Sequence, residues 1–253
     1  MLREIQTGDL EGNPYLNTLI YGEAKTGKTT LASTFPSPLF ITFSSEGGID
    51  TLRGNKNVLG ILQCDNFNDF KQATNFVTSS LKKKNSYSDA KTIVIDSLTT
   101  LWEVIVSSVL GLDAKGADTT TTLTWDQRSE ATAELMKIIH LFKKISAKGD
   151  KHVVFVAHAD EMQDNDTIIT RIGVSSKRVS KRIAKDIDYI FNLGVPDGNH
   201  KLRMKASDKY QVGVRSPMGH EVPEALYNED VSFKGIMDAL GFSKPKAKKK
   251  KKK

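Results

Sequence analysis

The sequence predicts an α/β fold: a mostly parallel central sheet flanked by helices, with a late β-hairpin. Two apolar runs and their surroundings carry the prediction. KTIVID (residues 91 to 96) and HVVFVA (152 to 157) are continuous and rich in β-branched residues, the habit of strands buried on both faces. Around them, short strand-like runs alternate with longer segments of helical periodicity, the pattern of strand-helix-strand units.

In chain order, LNTLIY (16 to 21) reads as a strand entering a glycine-bearing loop, and KTTLAST continues as a helix. PLFITF (38 to 43) and NVLGILQ (57 to 63) are short strands bounded by turn residues. Residues 66 to 81 predict a helix with Phe67, Phe70, Phe76, Val77 and Leu81 available to a buried face. After KTIVID comes a helix from about 98 to 110, then a loop with four threonines (119 to 122). A long amphipathic helix follows over 125 to 148, its core side marked by Leu135, Ile138, Ile139 and Phe142. Beyond HVVFVA, residues 161 to 171 and 194 to 200 read as polar loops and DYIFNL (188 to 193) as a strand. KLRMKAS and YQVGVRS form a hairpin or edge pair around SDK, and 231 to 242 a last helix ending at Gly241. The expected plan is an N-terminal extension (1 to 14), a core (15 to 242) and a tail (243 to 253).

With 253 residues, 38% hydrophobic and 26% charged, the chain has the proportions of a soluble protein with one substantial core. No run approaches the roughly 18 apolar residues of a membrane span, and the N-terminus lacks the apolar stretch of a signal peptide, so a cytoplasmic protein without a membrane partner is expected. The single Cys64 reads as a small buried hydrophobe. The net charge of +7 suggests nucleic acid until it is located: residues 244 to 253 hold eight lysines and no acid, so the rest of the chain is slightly negative. Such a run repels itself and is expected to be disordered. It would attract phosphate backbones without sequence preference, or serve only solubility.

Gly22, Glu23, Ala24, Lys25, Thr26, Gly27, Lys28 and Thr29 match the phosphate-binding pattern Gly-x-x-x-x-Gly-Lys-Thr. The glycines let successive N–H groups face one anion. Lys28 reaches the β- and γ-phosphates, Thr29 offers a hydroxyl to magnesium, and the helix beginning there, with Thr30, adds its positive end. ATP and Mg2+ are the cofactors this implies. The metal also needs a carboxylate at the end of a buried strand, and Asp96 ends KTIVID; a helix cap is the alternative role. Hydrolysis needs a group to position water. Glu46, beyond PLFITF and beside Gly47 and Gly48, is the candidate, against an exposed turn.

IYGEAKTGKTTL, LFITFSSEGGID, KTIVIDSLTTL and HVVFVAHAD occur in the order and spacing of the RecA superfamily core, and over residues 15 to 216 the chain resembles short single-domain phage recombinases of that superfamily. The resemblance implies a RecA-like P-loop ATPase, with Glu46 activating water, Lys28 and Thr29 on phosphate and metal, and Asp50 on the adenine amino group. Arg53 stands where a stacking aromatic is usual. His158 takes the place of a γ-phosphate sensor that is commonly an amide, a structural histidine being the alternative. Arg215, with Lys205 and Lys209 as alternatives, matches a finger reaching a neighbouring subunit's ATP, although Gly213 replaces a lysine often found there. The loop facing DNA would be Arg171 to Lys185, with Arg171, Lys177, Arg178, Lys181, Arg182 and Lys185 and no acid. Val179, Ile183 and Ile187 give it an apolar stripe, so a solvated basic helix face is the plain alternative. With few aromatics, backbone-dominated binding is expected.

The implied function is an ATP-dependent, single-stranded-DNA-binding recombinase, a homo-oligomer in filament or ring form that can work beside a single-strand-binding protein. A hexameric helicase-type motor and a DNA-tethered scaffold or loader are the alternatives. A GTPase is disfavoured because no Asn-Lys-x-Asp motif occurs.

Overall fold

A computed structural model describes residues 15 to 81, 85 to 112, 123 to 148, 151 to 164, 167 to 215 and 220 to 242. The N-terminal extension, the four threonines and the lysine tail lie outside them. The elements run β1 (Asn17–Gly22), α1 (Lys28–Ser33), β2 (Pro38–Phe43), β3 (Gly60–Cys64), α2 (Phe67–Ser80), β4 (Thr92–Asp96), α3 (Leu98–Val109), α4 (Trp125–Lys148) and β5 (His152–Asp164). Then come β6 (Thr167–Ile172), α5 (Lys177–Asp186), β7 (Tyr189–Gly194), β8 (Lys201–Arg203), β9 (Gly213–Val214), β10 (Ala225–Tyr227) and α6 (Phe233–Ala239).

The sheet order is β10-β8-β7-β1-β5-β4-β2-β3, with β6 on β5 and β9 on β7. From β7 through β3 the neighbours are all parallel. Period-two alternation sends the two sets of strand side chains into separate cores. Leu19, Tyr21, Ile93, Ile95, Val153 and Phe155 enter the layer that also contains the apolar sides of α2, α3, α4 and α5. Ile20, Phe40, Val94, Val154 and Val156 enter the opposite layer with α1 and α6. Both faces of β1, β2 and β4 are buried, and this is why these strands read as unbroken apolar runs.

Capping residues set the starts of several helices. Asn66, Ser97, Ser176 and Ser232 each accept a backbone N–H from the first turn of α2, α3, α5 and α6. Among the described residues, no helix is long and apolar enough to cross a membrane.

Two expectations are corrected. Residues 161 to 171 are not a polar loop: β5 continues to Asp164 and pairs antiparallel with β6, in a register that sets Asp160 opposite Arg171. The late hairpin is also rearranged. Ser207 and Tyr210 make an antiparallel bridge at the SDK turn, but β8 and β9 do not form a ladder with each other. Both add antiparallel to the outer edge of β7, β8 beside Asn192–Gly194 and β9 beside Tyr189–Ile190. The chain between them leaves that edge to meet β6, where Thr170 N–H donates to Lys209 O at 2.7 Å and Gln211 N–H donates to Thr170 O at 3.2 Å.

Candidate functional site

Parallel register lines up the ends of the central strands. Gly22 lies opposite His158 across β1 and β5, Asp96 opposite Val156 across β4 and β5, and Thr42 opposite Asp96 across β2 and β4. Everything the loops after these strands carry therefore converges at one end of the sheet, where open α/β sheets bind their ligands. Gly22 must be a glycine here, because a Cβ would lie 2.0 Å from Leu193 O.

The chain turns from β1 into α1 through Lys25 (φ 64) and Gly27 (φ 88), both left-handed. Lys28 is buried; its Nζ donates to Glu23 O at 2.5 Å, and Thr26 Oγ1 donates to the same carbonyl at 2.9 Å. Burial lowers the Lys28 pKa, against the opposing charges of Asp96, Glu46 and Glu23. Thr29 Oγ1 donates to Asp96 Oδ2 at 2.7 Å. The capping role considered for Asp96 belongs to its neighbour, since Ser97 Oγ accepts from Thr100 N. Asp96 is thus left to face Thr29. Burial, with the Glu46 charge adding to it, pushes the Asp96 carboxyl up to about 6, against the Thr29 hydrogen bond and the charge of Lys28.

Glu46 follows β2 and begins the 3-10 turn Gly47–Leu52. Its Oε1 accepts from Ser97 Oγ at 2.6 Å and from Thr100 Oγ1, and its Oε2 stands 3.9 Å from His158 Nε2. Burial alone would raise its pKa, but the His158 imidazole 3.9 Å away and the hydrogen bonds from Ser97 and Thr100 outweigh it and hold the carboxyl down to about 2. The carboxylate is therefore ionised, oriented and fastened on one oxygen. Ser97 and Thr100 carry no motif signal; only their place three residues apart at the N-terminus of a helix after Asp96 hints at a shared face.

A cavity of about 460 Å³ collects Ala24, Lys25, Gly27, Lys28, Thr29 and Thr30 from the loop and helix, with Glu46, Asp96 and His158 opposite. Glu23 and Thr26 turn away and line a separate cavity of about 250 Å³ behind the loop, with Asn192, Arg203 and Tyr210. Asp50 lies outside the cavity wall, where Thr51 stands instead; its carboxylate pairs at 3.4 Å with Arg53 in an exposed ion pair.

The basic segment divides. Arg178, Lys181, Arg182 and Lys185 are exposed on α5 while Val179 and Ile183 are buried beneath them, and these four make no ion pair among the described residues. Lys177, at the start of the same helix, is partly buried. Arg171 is different. Its side chain is 12% exposed and both Nε and Nη2 donate to Asp160 Oδ2, at 3.0 and 2.5 Å, so it is a structural cation of the β5–β6 pair and is withdrawn from the DNA-facing set.

Arg215 adjoins the start of β7, where Nη1 meets Asp188 Oδ1 at 2.9 Å. That is the end of the sheet opposite the phosphate loop, so it does not reach this chain's own cavity. Of the alternatives, Lys205 lies 3.7 Å from Glu221, and Lys209 gives its carbonyl to Thr170.

A glycine-turned loop, a buried lysine, and a threonine paired with a strand-end aspartate on a parallel sheet define a P-loop nucleotide-binding domain. The family model described as "AAA domain" matches residues 15–215, and the chain belongs to that family of P-loop ATPases. No curated protein matches it.

Proposed function

We propose that this chain is an ATP-dependent recombinase that binds single-stranded DNA and hydrolyses ATP, with magnesium, at the interfaces of a homo-oligomer. The observation that carries the DNA-binding part is the exposed cationic face of α5, four side chains free of carboxylate partners among the described residues, on a chain whose charge outside the tail is otherwise slightly negative. Phosphate contact is what such an array favours.

The donor set fits a hard divalent cation. Thr29 Oγ1 and Asp96 Oδ2 already stand 2.7 Å apart, both oxygen donors, at the mouth of the loop that would carry the triphosphate. Magnesium there would neutralise charge on the phosphate oxygens. Lys28 would move from the Glu23 carbonyl to the phosphates. Glu46 would hold the attacking water: a carboxylate kept at about 2 is a poor base, so its work is orientation, in line with the γ-phosphorus, more than removal of a proton. His158, 3.9 Å from Glu46, would sense the γ-phosphate with the imidazole edge. Asp50, freed from Arg53, would have to turn inward to read adenine, and Arg215 would serve a neighbouring subunit.

Fluorescence anisotropy with a labelled single-stranded oligonucleotide tests the proposal. Binding should be strengthened by Mg·ATP and weaken steeply with salt, and electron microscopy under the same conditions should show a filament or a ring. Binding indifferent to ATP, or lost on removing residues 244 to 253 alone, would overturn the recombinase reading in favour of a tethered loader.

A further inference from the structure

The first turn of α3 has two threonines that face different ways. Thr100 Oγ1 donates to the Glu46 carboxylate, inside the cavity. Thr99 points to the other side and uses its hydroxyl fully: it accepts from His158 N at 3.0 Å and donates to Gly173 O at 2.9 Å. Gly173 N in turn donates to His158 O at 2.8 Å. Thr99, His158 and Gly173 therefore close a ring of three hydrogen bonds. The ring is tight, since a Cβ on Gly173 would lie 2.8 Å from His158 O and 3.3 Å from Ala159 C.

Each member belongs to a different part of the molecule. His158 lines the nucleotide cavity. Thr99 sits between Leu98 and Thr100, one turn from Asp96. Gly173 begins the short link to α5: Val174 is buried, Ser175 is left-handed at φ 52, and Ser176 caps the helix by accepting from Val179 N. Only these three residues separate the ring from the first residue of the cationic helix. A backbone so short and so fastened at both ends transmits a displacement of His158 to the start of α5 instead of absorbing it.

We infer that Thr99 is a positioning residue that couples the nucleotide cavity to α5, so that the state of the γ-phosphate side of the site sets the placement of the cationic face. The inference rests on the proposed function for its consequence, DNA affinity, but its physical content is a coupling between two places in one chain.

Hydrogen-deuterium exchange of the full chain reads that coupling without DNA. In the wild type, a non-hydrolysable ATP analogue with magnesium should change exchange in the peptide spanning residues 173 to 186. Thr99→Val keeps the shape and removes both hydroxyl bonds; it should bind the analogue within about twofold of wild type, yet lose most of the change in that peptide. Thr99→Ser, which restores the hydroxyl, should recover it. In the anisotropy assay the ATP-induced gain in single-stranded DNA affinity should fall at least about fivefold in the valine variant and return in the serine variant. Equal nucleotide-dependent exchange in wild type and a folded Thr99→Val protein would overturn the inference, as would a wild-type peptide that ignores bound analogue. Should Thr99→Val unfold, Gly173→Ala replaces it: the hydroxyl remains, the ring is wedged open, and unchanged coupling would again overturn the inference. Intact coupling by exchange in a protein that binds no DNA would remove the recombinase proposal and leave this one standing.

Discussion

Two neighbouring glycines give a sharp test of how closely the site is packed. A Cβ on Gly47 would meet nothing within 4 Å, whereas one on Gly48 would lie 2.7 Å from Thr29 Oγ1. Neither glycine has a positive φ, so alanine is tolerated by the backbone at both positions and the comparison isolates the contact. An ordinary carbon–oxygen contact needs about 3.4 Å, so Gly48→Ala must displace something by roughly 0.7 Å. Thr29 cannot yield freely: it is β-branched, in the first turn of a helix, and its hydroxyl is fixed on Asp96 at 2.7 Å. The displaced atom is the one proposed above to meet the metal. Misplacement approaching 1 Å at a reacting centre can reduce turnover by about 100-fold, so Gly48→Ala should lower kcat by at least about tenfold and require more magnesium for half-maximal rate. Gly47→Ala should stay within about twofold of wild type. Steady-state ATP hydrolysis with a magnesium titration, alongside thermal unfolding of both variants, provides the measurement. Equal turnover in two folded variants would refute the reasoning that Thr29 and Gly48 hold the metal position between them.

Glu46→Gln should leave ATP bound, measured by equilibrium titration, while hydrolysis falls by about 100-fold or more; normal turnover would end its role as the water-holding residue. The same carboxylate contributes to stability. With its folded pKa depressed to about 2 from 4.5, the contribution is present above pH 4.5 and is lost as pH falls toward 2, so acid unfolding of the wild type should be steeper than that of Glu46→Gln in urea melts at pH 7 and 3.5. Lys28→Ala should abolish tight nucleotide binding, read by calorimetry. Lys181→Ala combined with Arg182→Ala should weaken single-stranded DNA binding similarly for all sequences and reduce the log–log salt slope by about 1.4. Arg171→Ala should instead lower the unfolding free energy by about 1 to 3 kcal/mol and leave the salt slope unchanged, because it removes a nearly buried cation from Asp160.

What could be read from the sequence follows the range over which each feature is determined. The phosphate loop is legible because its chemistry needs eight adjacent residues, and Asp96 because a buried parallel strand advertises itself through unbroken β-branched residues. The hydroxyl clamp on Glu46 is not legible, since Ser97 and Thr100 reach it from 51 and 54 residues away and serine and threonine at a helix start usually mean only a cap. Arg171 reads with the α5 cations because it precedes them in sequence. Its partner, Asp160, comes from across an antiparallel pair whose mixed polar and apolar residues, EMQD against TIIT, read as loop because neither segment alternates cleanly. The short strands β8 and β9 read as partners because neighbours in sequence commonly pair, but the free edge of β7 gives each of them a longer-range alternative.

The unusual length of β5 has a mechanical consequence. The strand does not stop at the cavity but runs on from His158 to Asp164, paired along that stretch with β6. Six residues at about 3.3 Å each make an arm of roughly 20 Å. A tilt of roughly 5° at its root, the scale of a side chain resettling, would sweep the far end by nearly 2 Å, so whatever that arm touches would register events at the phosphates as a mechanical stroke.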